Sequence, residues 1–393
     1  MTRDGKSGAV GALNGVKVLD LTHIAAGPFA TMLLADMGAD VIKVERPGSG
    51  DGARQMDLSI HGTDSGYYLG LNKNKRSVVV DLSSDEGRGL IKRLAASADV
   101  FVENFRPGSA ERLGLGYSDI SAIKPDVVYC SISGFGAQGP LRDGIAYDII
   151  GQAMSGIMSI TGEADGPPAK CGAPIADLST GMFAALGILA ALNHRLRTGE
   201  GQHVMTSLLG SAAALVASYV TSQALGTPFD RVGSAHNTLA PYQAFSGSDG
   251  QFFILAAGND GFFEKAVRAI EAPELLSDSR YQTNSGRVSN RAELAARMQR
   301  TFGTRPAGHW TKVLGEAGLP VSPIYDISRM VDDPQVRANG YVVDVEQPGI
   351  GLLPMITTPI AFSATPVSVR RPAPGLDEHH DEILSIGEHP GSW

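Results

Sequence analysis

One aspartate has small neighbouring residues in the sequence, which leave space for a reactant around its carboxylate. Asp177 belongs to the stretch CGAPIADLSTGMFAAL, whose small residues and glycines let a bulky group approach. The residue comes directly before a helical run, so two roles are open to it. As an N-cap, its carboxylate would accept hydrogen bonds from the first N–H groups of the helix. That position keeps a carboxylate ionised, and an ionised carboxylate in a partly dry site is also a usable nucleophile.

Cationic residues stand near the ends of several predicted strands. Arg46 follows VIKVE, Arg106 follows DVFVEN, and Arg112 begins the next turn. Lys75 and Arg76 precede SVVVDL. A solvated surface charge explains any one of them. Grouped at the edge where parallel sheets bind ligands, they predict recognition of phosphate, which the planar guanidinium suits.

A glycine-rich pattern between Gly134 and Gly139 matches the G-x-G-x-x-G of dinucleotide-binding folds and follows a predicted strand. In those folds the glycines open a helix whose N-terminus holds pyrophosphate. Here Pro140 follows the pattern, no apolar helical period begins, and the first strand-to-helix turn carries only Gly27. A loop with left-handed backbone is therefore favoured over a nicotinamide site.

Other catalytic chemistries lack a starting point in the sequence. The histidines show no metal-type spacing with one another and no C-x-x-C is present, so we predict no metal site. No G-x-S-x-G motif supplies a serine nucleophile. Cys130 and Cys171 lie far apart, which suits a reducing cytoplasm.

Composition and charge narrow the class of protein. The chain has 393 residues, of which 43% are hydrophobic, enough for two or three globular domains. Its formal net charge of -8 argues against nucleic acid or an anionic membrane as a partner. The N-terminus lacks the apolar run of a secretory signal, so we expect a cytoplasmic protein.

Strand-length segments that are apolar on both faces alternate with helical patterns in the first part of the chain. In the helical segment 83–98, Ser83 and Glu86 have capping-box spacing and residues 90–95 carry an apolar stripe. Repeated βαβ units predict a doubly wound parallel sheet of the α/β class. The strand segments are VKVLDL (16–21), VIKVE (41–45), SVVVDL (77–82), DVFVEN (99–104) and VVYCSIS (127–133).

The pattern changes after residue 225. Residues 226–327 have the pattern of a smaller α+β domain, and residues 328–393 return to the large domain that begins with residues 1–225. Two apolar runs, 178–192 and 204–229, raise the question of a membrane span. Their hydroxyl and small side chains favour helices buried against other helices.

Five blocks, in order and at consistent spacing, resemble the family III CoA-transferases. The blocks are VLDLTHIAAGPFATMLLADMGADVIKVERPGSGD, LNKNKRSVVVDL, DVFVENFRPGSAERLGLGY, GAPIADLSTGMFAALGILAAL and AAGNDGFFEKAV. This family includes formyl-CoA transferase, carnitine CoA-transferase and, as a divergent branch, 2-methylacyl-CoA racemase. The resemblance runs from about residue 13 to residue 387 and is far more specific than any single motif above.

The resemblance implies a Rossmann-like large domain, a smaller domain, and an interlocked homodimer. The family's nucleophilic aspartate, in the block G-A-x-x-x-D-x-x-x-G, falls on Asp177. Coenzyme A or acyl-CoA is implied as a substrate, beside a small carboxylic acid, with no permanently bound cofactor. The CoA-binding residues carried over, together with the strand-end Arg106, are Ala25, Ala26, Arg46, Val80, Ser83, Asn104, Phe105, Arg112, Ala146 and Tyr147.

The implied activity moves CoA from an acyl-CoA donor to a free acid through an aspartyl mixed anhydride and an aspartyl-CoA thioester. Gly258, Asn259 and Gly261 are implied as pocket residues or oxyanion donors. The racemase branch carries a histidine near Tyr147 and a glutamate at Asn259, so transfer is favoured over the alternative, racemisation. A noncatalytic CoA-binding protein is the third hypothesis. The formyl-transferase branch has a longer glycine-rich loop, so formate and oxalate are not expected substrates.

Overall fold

Apolar strands and helices alternate along the first part of the chain. The computed structural model describes residues 11–57, 60–61, 64–389 and 393. Its strands are β1 (Lys17–Asp20), β2 (Asp40–Glu45), β3 (Ile60–His61), β4 (Asp64–Ser65), β5 (Lys75–Val79), β6 (Val100–Glu103), β7 (Val128–Ser133), β8 (Gln202–Ser207), β9 (Tyr242–Ser246), β10 (Phe252–Ala256), β11 (Val321–Pro323), β12 (Val342–Gln347) and β13 (Gly351–Ile356).

Helices follow most of these strands. They are α1 (Ala26–Asp36), α2 (Gly66–Asn72), α3 (Asp85–Ala95), α4 (Ser109–Arg112), α5 (Tyr117–Ile123), α6 (Asp148–Met154), α7 (Ile175–Thr198), α8 (Leu208–Leu215), α9 (Ala217–Ala224), α10 (Asp260–Ala269), α11 (Glu274–Ser277), α12 (Asn284–Ser289), α13 (Arg291–Phe302), α14 (Ala307–Glu316), α15 (Ile327–Val331), α16 (Pro334–Ala338) and α17 (His380–Glu388).

Six strands form one parallel sheet in the order β5-β2-β1-β6-β7-β8. Counted along the chain within the sheet, this is the order 3-2-1-4-5-6 of the Rossmann fold, and the predicted fold class is confirmed. All five predicted strands are present. The sixth strand, β8, was not predicted. It begins just before the run 204–229 and extends into it, and that run was interpreted as a helix.

The uncharged run 204–229 is not one buried helix, and that prediction is wrong. Its first residues complete β8, two helices follow, and α9 has no buried residue. The run 178–192 does lie in a single helix, α7, which packs against α1 and α8. Among the described residues, only α7 passes a length-and-hydropathy test for membrane crossing, and half of its most apolar window is buried inside the protein.

Helix α3 shows how local sequence sets one crossover. Its apolar stripe is buried as predicted. The N-cap is Ser84, whose hydroxyl accepts from the Gly87 amide at 3.0 Å, and not Ser83. The Ser83 hydroxyl donates instead to Asp81 at 2.6 Å. The N-cap therefore lies one residue later than predicted, and the predicted capping box is wrong, because Gly87 at the N3 position has no side chain.

The core of the sheet lies between its strands and helices α3 and α17. Leu19, Ile42 and Phe101 from the sheet are fully buried beside Ile91 and the C-terminal Ile383. The last segment of the chain thus completes the hydrophobic core that the first segment begins.

The chain divides into two compact units. One consists of residues up to 156, 172–217 and 333–393, and the other of 157–171 and 218–332. The second unit carries the antiparallel sheet β11-β10-β9, whose Phe253 packs against Phe302. The boundaries predicted from sequence were 225 and 327. Residues 1–10 of the predicted first domain lie outside the described residues.

Candidate active site

A cavity of about 240 Å³ lies beyond the carboxyl ends of β1, β6 and β7. Loops that follow these strands form its walls, because parallel strands end at the same edge of a sheet. The proposed nucleophile and seven of the predicted CoA-binding residues line this one cavity: Asp177, Ala25, Ala26, Asn104, Phe105, Arg106, Ala146 and Tyr147.

A second cavity of about 550 Å³ continues along the same edge beyond β2 and β5. The predicted CoA-binding residues Arg46, Val80 and Ser83 line it. The two cavities share walls formed by His23, Ile24, Phe105 and Tyr147. Together they form one groove, whose lining includes apolar side chains and the charged side chains of Arg46, Arg106 and Asp177.

Four predicted site residues line neither of these two cavities. Arg112 lines neither cavity and donates to the Ser109 hydroxyl at 2.6 Å. Gly258, Asn259 and Gly261 belong to the second compact unit. There the Asn259 side chain caps α10 by accepting from the Phe262 amide at 2.7 Å.

The glycine-rich pattern after β7 forms a loop, as predicted. Gly136 and Gly139 have φ angles of 94° and 92°, in the left-handed region that favours glycine. The next helix, α6, begins only at Asp148. The glycine-rich loop therefore does not lead directly into a helix N-terminus, as the dinucleotide-binding pattern requires.

Asp177 is the third residue of α7, so the prediction that it is the N-cap is wrong. Pro174 occupies the N-cap position and offers no side-chain hydrogen bond. The first turn is capped from another helix: Asp148 Oδ1 accepts from the amide of Ala176 at 2.8 Å and from that of Asp177 at 3.3 Å. The Asp177 carboxylate is thereby free of the capping role.

The electrostatic surroundings of Asp177 also differ from expectation. Burial, and then the nearby charge of Asp148, raise the pKa of the Asp177 carboxyl to about 7. The prediction that the helix start keeps this carboxylate ionised is wrong, because desolvation and a like charge outweigh the helix dipole. A carboxyl with this pKa is a stronger base and nucleophile once ionised than an exposed one.

The loop after β1 is held by side chains that sequence reasoning missed. Ile24 has φ 71°, an unusual conformation for a β-branched residue, and its amide donates to Asp51 Oδ1 at 2.9 Å. Asp51 pairs with buried Lys43 at 2.7 Å. The predicted Asn104 joins this loop to the one after β6, since its amide group donates to the His23 carbonyl at 2.9 Å. A side-chain network thus fixes the cavity wall.

Two of the five cations do not lie at the ligand-binding edge, so that part of the cluster prediction is wrong. Lys75 stands at the amino end of β5, buried, with its Nζ 3.1 Å from Asp20 Oδ2. Arg76 pairs with Asp40 at 2.6 Å and with Glu382 at 2.8 Å. Both side chains neutralise carboxylates of the protein itself, a role that strand-end spacing does not reveal.

Comparison with known proteins places this groove in a family. The sequence model of CoA-transferase family III matches residues 13–380. A human protein named succinyl-CoA:glutarate CoA-transferase is 40% identical over 373 residues, which cover 95% of this chain and 85% of that protein. Acetyl-CoA:oxalate CoA-transferase of Acetobacter aceti is 38% identical over 371 residues, 94% of each chain.

Solved structures give the same result. A CaiB/BaiF family protein from Brucella suis superimposes with a TM-score of 0.87 at 39% identity, covering 96% of this chain and all of that one. A hypothetical protein from Mycobacterium tuberculosis superimposes with a TM-score of 0.84 at 30% identity and covers 96% of this chain. Because the family model and these relatives match nearly the whole sequence, this chain is an enzyme of the family III CoA-transferases.

Proposed function

We propose that this enzyme moves CoA from an acyl-CoA to a free dicarboxylic acid, with Asp177 as the nucleophile. The observation that carries the proposal is the position of Asp177 in a cavity wall that also holds seven predicted CoA-binding residues. The carboxylate is largely withdrawn from water and has no capping duty. These are the conditions under which a carboxylate attacks a thioester.

In the first half of the proposed reaction, the Asp177 carboxylate attacks the thioester carbonyl of the donor. The carbon–sulfur bond breaks, giving an acyl-aspartyl anhydride and CoA thiolate. The thiolate attacks the aspartyl carbonyl of the anhydride, releases the donor acid as a carboxylate, and leaves an aspartyl-CoA thioester.

In the second half, the acceptor carboxylate attacks the aspartyl-CoA carbonyl and displaces CoA thiolate, so that a second anhydride forms. The thiolate then attacks the acceptor's carbonyl in that anhydride. The new acyl-CoA leaves, and the Asp177 carboxylate is regenerated. No proton is gained or lost over the cycle, so the enzyme requires no second base.

The groove supports this sequence by holding both parts of CoA in place between steps. The phosphate-rich end would lie near Arg46 in the larger cavity, and the sulfur near Asp177 in the smaller one. Holding the thiolate beside the anhydride makes its attack intramolecular. Well-oriented intramolecular reactions reach effective concentrations of about 10⁵ M or more.

The names of the similar enzymes suggest the class of acid. Glutarate, oxalate and the succinyl group each carry a second carboxylate. The glutarate enzyme is 40% identical to this chain and the oxalate enzyme is 38% identical to it, so sequence identity does not discriminate between the two acids. We therefore propose a dicarboxylic acceptor and keep oxalate as an arm of the test.

The first test supplies succinyl-CoA with glutarate, oxalate, formate or acetate and identifies new thioesters by mass spectrometry. We expect a new thioester with at least one dicarboxylic acid. Borohydride added during turnover is expected to reduce the aspartyl-CoA thioester and so change the mass of the peptide that contains residue 177. Turnover without any modification of that peptide would contradict the proposed intermediate. Exchange of an α-proton with deuterated solvent, without a new thioester, would instead indicate a racemase.

We also propose that the enzyme is a homodimer. Helices α6, α7 and α8 pack together and expose apolar side chains to solvent, among them Leu186, whose surface is 61% exposed. Exposed apolar patches of this kind mark protein interfaces. The other members of the patch are Ile149, Ile150, Met154, Met182, Phe183 and Leu215.

Sedimentation analysis is expected to give twice the 41.1 kDa mass of one chain. Leu186→Asp should shift the mass toward a single chain, because a charge would be buried in the interface. The control is Ile123→Asp, which places a charge on an exposed apolar residue outside the patch and should leave the mass unchanged. A wild-type protein with the mass of one chain would refute the dimer.

A further inference from the structure

We infer that Asp148 is a positioning residue for the proposed nucleophile: its carboxylate holds the first turn of α7 so that Asp177 faces the cavity. The inference rests on the proposed function, since it gives Asp148 a role only if Asp177 reacts. It goes beyond that function by assigning a residue that touches neither substrate.

The geometry is that of a cap supplied by a neighbouring helix. Asp148 is the first residue of α6, and its Oδ1 accepts from the amides of both Ala176 and Asp177. Its Oδ2 accepts from the side-chain amide of Gln152 at 2.6 Å. Gln152 is fully buried, which keeps the carboxylate in one orientation. Oδ1 of Asp148 is therefore committed to the first turn of α7, and Oδ2 is fixed by a residue of α6 itself.

The hydrogen bond to the Asp177 amide acts on the nucleophile itself. Without Asp148 the amides of Ala176 and Asp177 would lose this acceptor, and Pro174 at the N-cap has no side chain that could replace it. A first turn without a cap frays, and a frayed turn moves the side chains that it carries. Misplacing a reacting group by about 1 Å costs on the order of 10²-fold in rate.

Asp148 also brings a negative charge close to Asp177. Other titratable or charged groups around Asp177 include the phenols of Tyr67 on α2 and Tyr147 before α6, the imidazole of His23 after β1 and the guanidinium of Arg106 after β6. Burial, Asp177 and Asp148 raise the pKa of Tyr67 to about 12, and desolvation lowers the pKa of His23. Both groups are thus neutral near pH 7, and Asp148 is the anion that opposes ionisation of Asp177.

Two substitutions separate the cap from the charge. Asp148→Asn keeps an oxygen that can accept from α7 but removes the charge, and asparagine caps helices as well as aspartate does. We expect its kcat to stay within about threefold of wild type, while the acid limb of its rate profile moves to lower pH by about one unit. Asp148→Ala removes both, so we expect kcat to fall by about 10²-fold with the KM for acyl-CoA nearly unchanged.

The matched control is Asp333→Ala. Asp333 also caps a helix, since its side chain accepts from the amides of Gln335 and Val336, and it lines neither cavity. It should lower the melting temperature and leave kcat and the acid limb unchanged. Wild-type kinetics in Asp148→Ala would overturn the inference. An acid limb that does not move in Asp148→Asn would overturn it as well, and this variant decides the matter if Asp148→Ala does not fold.

The borohydride experiment on wild-type enzyme distinguishes failure of this inference from failure of the proposed function. If residue 177 is modified during turnover but the Asp148 variants behave as wild type, the nucleophile stands and the positioning role fails. If residue 177 is never modified, the proposed function itself fails.

Discussion

Asp177→Asn is expected to lower the kcat of CoA transfer by on the order of 10⁴-fold or more. The amide nitrogen cannot form the mixed anhydride, and removal of a nucleophile costs more than loss of any single hydrogen bond. Steady-state rates with succinyl-CoA and the best acceptor from the acid screen measure the effect. The control is Asp85→Asn, an exposed aspartate in the first turn of α3, which should transfer CoA at the wild-type rate.

The same variant should be more stable than wild type at alkaline pH. The pKa of Asp177 is about 7 in the folded protein and 3.8 as its ordinary value, so burial disfavours the charged form. The cost of that charge therefore appears as the pH rises from about 4 and is complete above about 7. Asp177→Asn avoids it, and we expect the free energy of unfolding at pH 8 to rise by about 1–3 kcal/mol.

Melting curves at two pH values check the sign of this effect. The difference between variant and wild type should be present at pH 8 and disappear near pH 4, where the wild-type carboxyl is neutral in both states. An inactive variant that is less stable than wild type at pH 8 would indicate damage to the fold and would not count as loss of a nucleophile.

The pH dependence of kcat/KM should show an acid limb with an apparent pKa near 7. Only ionised Asp177 attacks the thioester, so the rate should fall about tenfold for each pH unit below this value and about 100-fold at pH 5. Initial rates between pH 5 and 9 measure the limb. An exposed aspartate would place it three units lower, and a limb near pH 4 would show that the carboxylate is not desolvated in the free enzyme.

A second carboxyl group, that of Glu103, makes it possible to test whether the acid limb belongs to Asp177. Burial raises the pKa of Glu103 to about 7 as well, but Glu103 lines a different cavity, beside His203, and its carboxylate accepts from the Phe105 amide at 2.8 Å. Glu103→Gln preserves that acceptor and removes the titration. The acid limb should therefore remain near 7 in this variant, and its disappearance would assign the limb to Glu103 and not to Asp177.

The interior strands could be predicted because their burial leaves a local trace. Strands β1 and β2 are buried along almost their whole length, and each carries consecutive apolar residues, Val18–Leu19 in β1 and Val41–Ile42 in β2. The edge strand β8 is half-exposed along its whole length and carries Gln202, His203 and Thr206, so no continuous apolar run reveals it. Its place in the sheet depends on pairing with β7, which lies about seventy residues earlier.

The edge of the sheet at which the two cavities lie could also be predicted, since strand direction and connectivity bring the loops after β1 and β6 together. What each charged residue does there could not. Arg46 lies in the groove, whereas Lys75 meets a buried carboxylate, and both are simply basic residues beside a strand. The difference arises because Arg46 follows the carboxyl end of β2, whereas Lys75 stands at the amino end of β5.

The difference between what the sequence shows and what the folded structure decides is clearest at Asp177. Small neighbours and the block G-A-x-x-x-D-x-x-x-G are properties of adjacent residues, and they were enough to single out the aspartate and the type of reaction. Its place in the third position of α7, its cap from Asp148 and its raised pKa depend on a carboxylate 29 residues away in the chain. Desolvation and charge repulsion act through space, over a few ångströms, and only the folded chain decides which groups come that close.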